Sequence, residues 1–174
     1  MEKLGLLKHP TVDTIINLAA DARTTNERRT VLINFFIEHF KDYYSAKPIN
    51  SSCQAKFIPL ERKANLASPQ QCFAENGSEI LGFQIMRSDL CSHANKLGVR
   101  LNPSPTELIT QLKLRQPESI DQAKMIFQYL ATQQSHFTRL DWSLLSSLRF
   151  IPVSKRDKII YYYPREVFLT GEAM

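Results

Sequence analysis

The sequence predicts an α+β chain, mainly helical with short β-hairpins, made of two tandem related units of about 95 residues, the second truncated. Two observations predict it. Helix-start signals followed by apolar residues at helical spacing alternate with short strand-like phrases bounded by turn residues. The chain also echoes itself: Pro10-Thr11 recurs as Pro105-Thr106, Thr24…Glu27 as Ser119…Gln122, and Pro69…Phe73 as Pro164…Phe168, each 95 residues on. Between them, Lys56-Phe57-Ile58-Pro59-Leu60 returns as Arg149-Phe150-Ile151-Pro152-Val153 at an offset of 93, which a two-residue deletion before Phe150 and a two-residue insertion before Pro164 explain. Loops absorb such changes at little cost. The expected division is a complete unit over residues 1–103 and an incomplete copy over 104–174.

In chain order, Val12, Ile15, Ile16 and Ala19 place one apolar stripe on a helix from Thr11 to Ala22. Thr24 and Glu27 form a capping box that opens a second helix, whose Val31, Leu32 and Phe35 map onto Ile126, Phe127 and Leu130 of the second copy. From Val31 to Tyr44 the apolar residues cover more than one face, so this helix is expected to be mostly buried. Ala55 to Leu60 reads as a strand ending where Pro59 cannot donate a ladder hydrogen bond. Ser68-Pro69 opens a helical turn carrying Cys72 and Phe73, and Ile80 to Met86 is an apolar run compatible with a strand. Ser88 caps a helix through Lys96, with Gly98 as its left-handed terminus and Val99 as the following contact.

The second copy opens with the capping box Ser104…Glu107 and the stripe Leu108, Ile109 and Leu112, and Pro117 ends that helix. Ser119 to His136 repeats the long helix, and Asp141 caps a short one carrying Trp142, Leu145 and Leu148. Arg149 to Val153 and Ile159 to Tyr163 pair as a hairpin across Lys155 to Lys158, with Tyr161 and Tyr162 on opposite faces. A counterpart of Ser88 to Gly98 is missing, so a helical docking surface near Leu148 to Leu169 is expected to lack a partner in the chain. Its expected anchors are Phe150, Ile151, Val167, Phe168 and Leu169.

Composition bounds the function. The chain has 174 residues, is 43% apolar and carries a net charge of +5 from 22 basic residues interleaved with 17 acids, a globular composition with a mixed surface. Cys53, Cys72 and Cys91 are odd in number and lack the close pairing of a thiolate zinc site, which fits reduced thiols in the cytoplasm or nucleus. No apolar run is long enough for a signal peptide or a membrane span.

The order of helix pair, Phe-Ile-Pro strand, hairpin and Pro-x-x-x-Phe turn resembles the sacsin-like family of very large proteins. It is more closely similar to related fungal proteins of unknown function with an N-terminal histidine-kinase-like (GHKL) ATP-binding domain. The residues carrying the resemblance are Lys56 to Leu60 with Pro69 and Phe73, Leu97-Gly98-Val99, and Leu148 to Val153 with Pro164 to Phe168. The resemblance implies an internal, non-ATPase segment of a chaperone-like or scaffolding protein. The family's magnesium-binding helix and Asp-x-Gly adenine loop have no counterpart in this sequence, and five isolated glycines supply no phosphate cradle.

The chemistry-bearing residues point the same way. His9, His39, His93 and His136 are scattered, and Cys91-x-His93 would point its two side chains apart on a helix. No nucleophile elbow or Cys with an oriented base is present. The chain is expected to be non-catalytic, with no cofactor and no metal. Its expected partner is protein, either other segments of a larger chain or a client protein. The alternative is a nucleic-acid module in which Lys56, Arg62, Lys63, Arg149, Lys155, Arg156 and Lys158 rim the hairpins beside tyrosines. Charged side chains that merely keep a hairpin edge from aggregating would leave the same pattern.

Overall fold

The computed structural model describes residues 9–62, 64–155 and 158–167. The chain is α+β, with five α-helices and three short two-stranded ladders among the described residues. It divides into two compact units, Met1–Asn76 with Phe83–Asn102, and Gly77–Gly82 with Pro103–Met174. No helix among the described residues is long and apolar enough to cross a membrane.

The first unit opens with α1 (Val12–Ala20) packed on α2 (Asn26–Glu38). Thr11 caps α1 by accepting the Thr14 N–H at 3.1 Å, and Ile15, Ile16 and Ala19 form the buried stripe that the spacing predicted. α2 starts one residue later than the capping box implied. Thr25 is the N-cap, accepting the Arg28 N–H at 3.3 Å, because the Thr24 hydroxyl donates instead to the Leu18 carbonyl at 2.7 Å and ties the turn back to α1. The buried face differs accordingly: Ile33, Phe36 and Ile37 enter the core, while Val31 is exposed and Leu32 and Phe35 are half-buried. α2 ends at Glu38 and gives way to a π-helical turn, Phe40–Tyr44, whose buried Tyr44 donates its hydroxyl to the Pro10 carbonyl at 3.0 Å.

A buried arginine closes this helix pair. Arg29 Nε donates to the Ala19 carbonyl at 2.6 Å, Nη2 to the carbonyls of Asp21 and Thr24 at 3.2 and 2.9 Å, and Nη1 to Asn26 Oδ1 at 2.8 Å. A helix C-terminus leaves carbonyls without intrahelical donors, and the guanidinium fork supplies donors for two levels of that turn at once.

Beyond the helices, β1 (Ile58–Pro59) pairs antiparallel with β2 (Leu66–Ala67). On its other side, Leu60 bridges Met86, with the Arg87 N–H donating to the Pro59 carbonyl at 2.9 Å and the Glu61 N–H to the Ile85 carbonyl at 3.0 Å. The expected helical turn at Cys72 and Phe73 is instead β3 (Cys72–Phe73), parallel to β4 (Gln84–Ile85). Both residues of β3 are buried, and a turn there would forfeit the pairing of Phe73 with Ile85 and with Arg100. The run from Ile80 to Met86 breaks at Gly82, whose φ is +84°, so its start is a 3-10 turn (Asn76–Leu81) and only Gln84–Ile85 is strand. The helix expected from Ser88 is a 3-10 helix, Ser88–His93. Gly98 has φ +72° as its position demanded, and a Cβ there would meet the Ile49 carbonyl at 2.7 Å.

The second unit contains α3 (Pro105–Leu114), α4 (Ile120–Thr132), α5 (Arg139–Ser146) and the antiparallel pair β5 (Ile151–Lys155) and β6 (Lys158–Tyr162). The Ser104/Glu107 capping box forms, and Leu108, Ile109 and Leu112 are buried. Ser119 caps α4 by accepting the Gln122 N–H at 3.1 Å. α5 begins earlier than expected. Thr138 is its N-cap, and Asp141 is the third helical residue, accepting the Thr138 N–H and hydroxyl at 2.9 and 2.6 Å. Those bonds, the hydroxyl's first, hold the Asp141 carboxyl below its ordinary range.

Replacing Arg29 with Met keeps most of the buried volume but removes the guanidinium donors from the carbonyls of Ala19 and Thr24 and leaves Asp21 only the Thr24 N–H. The expected loss of stability is about 2–4 kcal/mol, read from the urea midpoint at unchanged m-value. Arg29→Lys should recover only part of it, since an ammonium cannot span the fork; an unchanged midpoint in Arg29→Met would refute the capping role.

Candidate interaction surface

The hairpin of the second unit is positioned by its base. Phe150 is 3% exposed and sets its ring edge-on to Phe127 at 5.6 Å, and α4 packs against β5. The register pairs Ile151 with Tyr162, Pro152 with Tyr161, Val153 with Ile160, Ser154 with Ile159 and Lys155 with Lys158. Side chains alternate across a strand, so Pro152 and Tyr161 share one face and Ile151, Val153, Ile160 and Tyr162 the other. At its base the first face turns inward, since Pro152 is buried and the Tyr161 hydroxyl donates to the Pro117 carbonyl at 2.7 Å, while Ser154 and Ile159, nearer the tip of the same face, are exposed. The second is an apolar face that stays partly open, with Ile160 40% exposed.

α5 adds to the apolar surface of this unit. It packs against α3 yet buries only Leu145, leaving Leu140 and Leu144, one turn apart, 69% and 46% exposed. Trp142 is also exposed and lies against Phe137, with ring centroids 4.8 Å apart.

These positions redraw the expected surface. Phe150 is not an anchor for a partner, because the phrase that carries it is bent inward to fill the base of the hairpin. Ile151 and Val167 are half-buried, and Phe168 and Leu169 lie outside the described residues. The segment from Ile151 to Tyr162 is a hairpin, and the exposed leucines on a helix lie before it in the chain, on α5. Leu140, Leu144 and Ile160 were not singled out from the sequence; the i, i+4 spacing of two leucines on a helix with one buried residue was the available signal.

The basic residues divide. Lys56, Arg62, Arg149, Lys155 and Lys158 are all exposed, and Lys63 and Arg156 lie outside the described residues. Arg149 and Arg165 both place their guanidinium carbons over the Tyr163 ring, at 4.7 and 5.3 Å from its centroid. Tyr163 is therefore engaged as a cation–π acceptor, and the Tyr161 hydroxyl is spent on Pro117.

Elsewhere the chemistry-bearing groups serve packing. His9 stacks on Tyr43 at 3.5 Å, and His39 lies 5.5 Å from the same ring. Cys91 and His93 sit on the 3-10 helix, and Cys91 Sγ faces the Ala74 carbonyl at 3.1 Å. Among the described residues no three His, Cys, Asp or Glu side chains group so as to hold a metal. In the second unit, a cavity of about 190 Å³ is lined by Arg115, Gln116, Gln122 and neighbouring residues. Two of its amides are committed to backbone, Gln116 Nε2 to the Arg149 carbonyl at 2.5 Å and Gln122 Oε1 to the Glu118 N–H at 2.7 Å.

Burial, with a smaller contribution from Cys91, pushes the Cys72 thiol up to about 12, and burial with the charges of Glu61 and Asp89 raises Cys91. The folded state thus holds the Cys72 proton that an unfolded chain releases near pH ~8.5, so this thiol's support of the fold is complete below that pH and fades as pH rises toward 12. Iodoacetamide at pH ~8 should leave Cys72 unmodified in the native protein and label it in urea, as read by peptide mass mapping; rapid native labelling would contradict the buried placement.

A family model described as "Protein of unknown function (DUF3684)" matches residues 1–174. No curated protein and no solved structure matches the chain.

Proposed function

This chain belongs to the DUF3684 family of proteins of unknown function, and we propose that it acts as a non-catalytic interaction or scaffold segment that binds protein. The observation that carries this reading is the apolar surface of the second unit, where Leu140, Leu144 and Ile160 stay open on a helix and a hairpin. Scattered single hydrophobic residues need no explanation, but a helix that exposes two leucines one turn apart and buries a single residue is suited to a partner. The chaperone-like setting, in a larger sacsin-like chain, rests on the Phe-Ile-Pro and Pro-x-x-x-Phe phrases alone. Three free cysteines support a reducing compartment, cytoplasm or nucleus.

Nucleic-acid binding is the second reading, supported by the exposed Arg149, Lys155 and Lys158. It is weakened by the tyrosines, since Tyr163 already carries two guanidinium groups.

Affinity capture compared quantitatively between the wild-type chain and the double variant Leu144→Glu, Ile160→Glu separates these readings. The protein reading expects a set of proteins retained by the wild type and reduced about tenfold or more on the double variant, with unchanged far-UV circular dichroism. Identical sets on both baits would refute it. Single-stranded RNA binding that falls steeply with salt and is lost in Lys155→Glu, Lys158→Glu would favour the second reading.

A further inference from the structure

The buried positions of the two helix pairs correspond at a single offset. Ile15, Ile16 and Ala19 of α1 match Leu108, Ile109 and Leu112 of α3, and Ile33, Phe36 and Ile37 of α2 match Ile126, Tyr129 and Leu130 of α4, in every case 93 residues on. The same offset carries Arg29 onto Gln122 and Thr24 onto Pro117. Arg29 reaches back from α2 to the carbonyls of the preceding turn, that of Thr24 among them. Gln122 reaches back from α4 in the same sense, but its shorter side chain stops at the Glu118 N–H, 2.7 Å from Oε1. The Pro117 carbonyl is served by the Tyr161 hydroxyl instead.

The space beside Gln122 is open. It is the cavity of about 190 Å³ in the second unit, lined by Gln116, Glu118 and Gln122 around the turn at Pro117. Its apolar lining includes Ile126, the counterpart of Ile33, and Leu81, both buried, while Gly82, Gln116 and Glu118 are exposed and put its mouth in contact with solvent. Pockets for drug-sized ligands start at about 300 Å³, so a group the size of one side chain fits here.

The lining selects a cation. Two carboxylates, Glu79 and Glu118, stand against one guanidinium, Arg115. Arg115 is exposed and lies against Gly82, its Nη1 2.7 Å from where a Cβ on that glycine would stand, so it borders the cavity without filling it. Gln116 spends its Nε2 on the Arg149 carbonyl, which leaves Oε1 as an acceptor. An ammonium would have to shed a tightly held hydration shell beside Ile126 and Leu81, whereas a guanidinium is weakly hydrated and planar. We infer that this cavity is a receptor for a guanidinium group, the group that Arg29 supplies from within the chain in the first unit. An arginine side chain of a protein partner and free arginine share that chemistry.

The test titrates N-acetyl-arginine amide and free L-arginine, each to about 50 mM at constant ionic strength, into the isotopically labelled full chain. NMR follows the side-chain amides of Gln116 and Gln122 and the backbone amide of Gly82. The expected result is saturable shifts at these three residues with a Kd of about 1–10 mM, and none with N-acetyl-lysine amide. Binding of the blocked amide at least as tight as that of free arginine assigns the site to a protein side chain, and tighter binding of free arginine assigns it to the amino acid; both support the receptor. Gln122→Arg places the chain's own guanidinium in the cavity, and it should abolish the titration and raise the melting temperature. Should that variant fold poorly, two exposed positions carry the test: Glu118→Gln should weaken binding several-fold and Arg115→Gln should tighten it several-fold. Equal shifts with the lysine compound, an unchanged titration in a folded Gln122→Arg variant, shifts confined to other residues, or no binding up to about 50 mM would each overturn the receptor. None of these results touches the protein-binding reading, which the Leu144→Glu, Ile160→Glu comparison decides separately.

Discussion

The guanidinium of Arg29 takes up three carbonyls in the turn from α1 to α2 and so fixes the entry angle of α2. That angle determines which side of α2 meets α1. Ile33, Phe36 and Ile37 turn inward as a result, and Tyr44, a turn beyond, reaches the Pro10 carbonyl before α1. The core of the first unit, including Phe57, Ile58 and Met86, is assembled against this pair. Short helices make this constraint severe, because in α1, with nine residues, the unpaired terminal groups are a large share of the backbone.

The same accounting applies to strand edges. In the first unit every short ladder leans on another: β1 on β2 and on residues near Met86, and β3 on β4 and Arg100. The second unit has a longer hairpin with its inner face anchored through Pro152 and Tyr161, and its outer face holds Val153 and Ile160. Native proteins commonly blunt an open edge with lysine, and Lys155 and Lys158 stand at the tip of this one. Such charges discourage indiscriminate pairing.

Legibility from sequence followed the range of the interaction. The stripes of α1 and α3, the Ser104/Glu107 box and the left-handed Gly98 were all readable. Thr24 misled because its hydroxyl has a tertiary partner, the Leu18 carbonyl, that outcompetes the local cap. Asp141 misled for the converse reason, since Thr138 three residues earlier supplies the other half of a capping box. α2 is apolar on more than one side, so periodicity offered two candidate faces and no means of choosing. In the candidate surface, Ile151 and Val167 proved half-buried and Phe150 internal, while Leu140, Leu144 and Ile160 carry the exposed apolar area.

The sequence by itself determined the α+β class, the alternation of the second hairpin and most helix starts, because those depend on residues within about four positions of one another. Only the tertiary structure decided that Cys72 and Phe73 form a buried strand, that Arg29 is internal and that Phe150 fills the hairpin base. Each of these depends on a partner distant in sequence or on a carbonyl exposed by another element's end. Local chemistry can identify a group that needs a partner, and the folded chain determines which partner it finds.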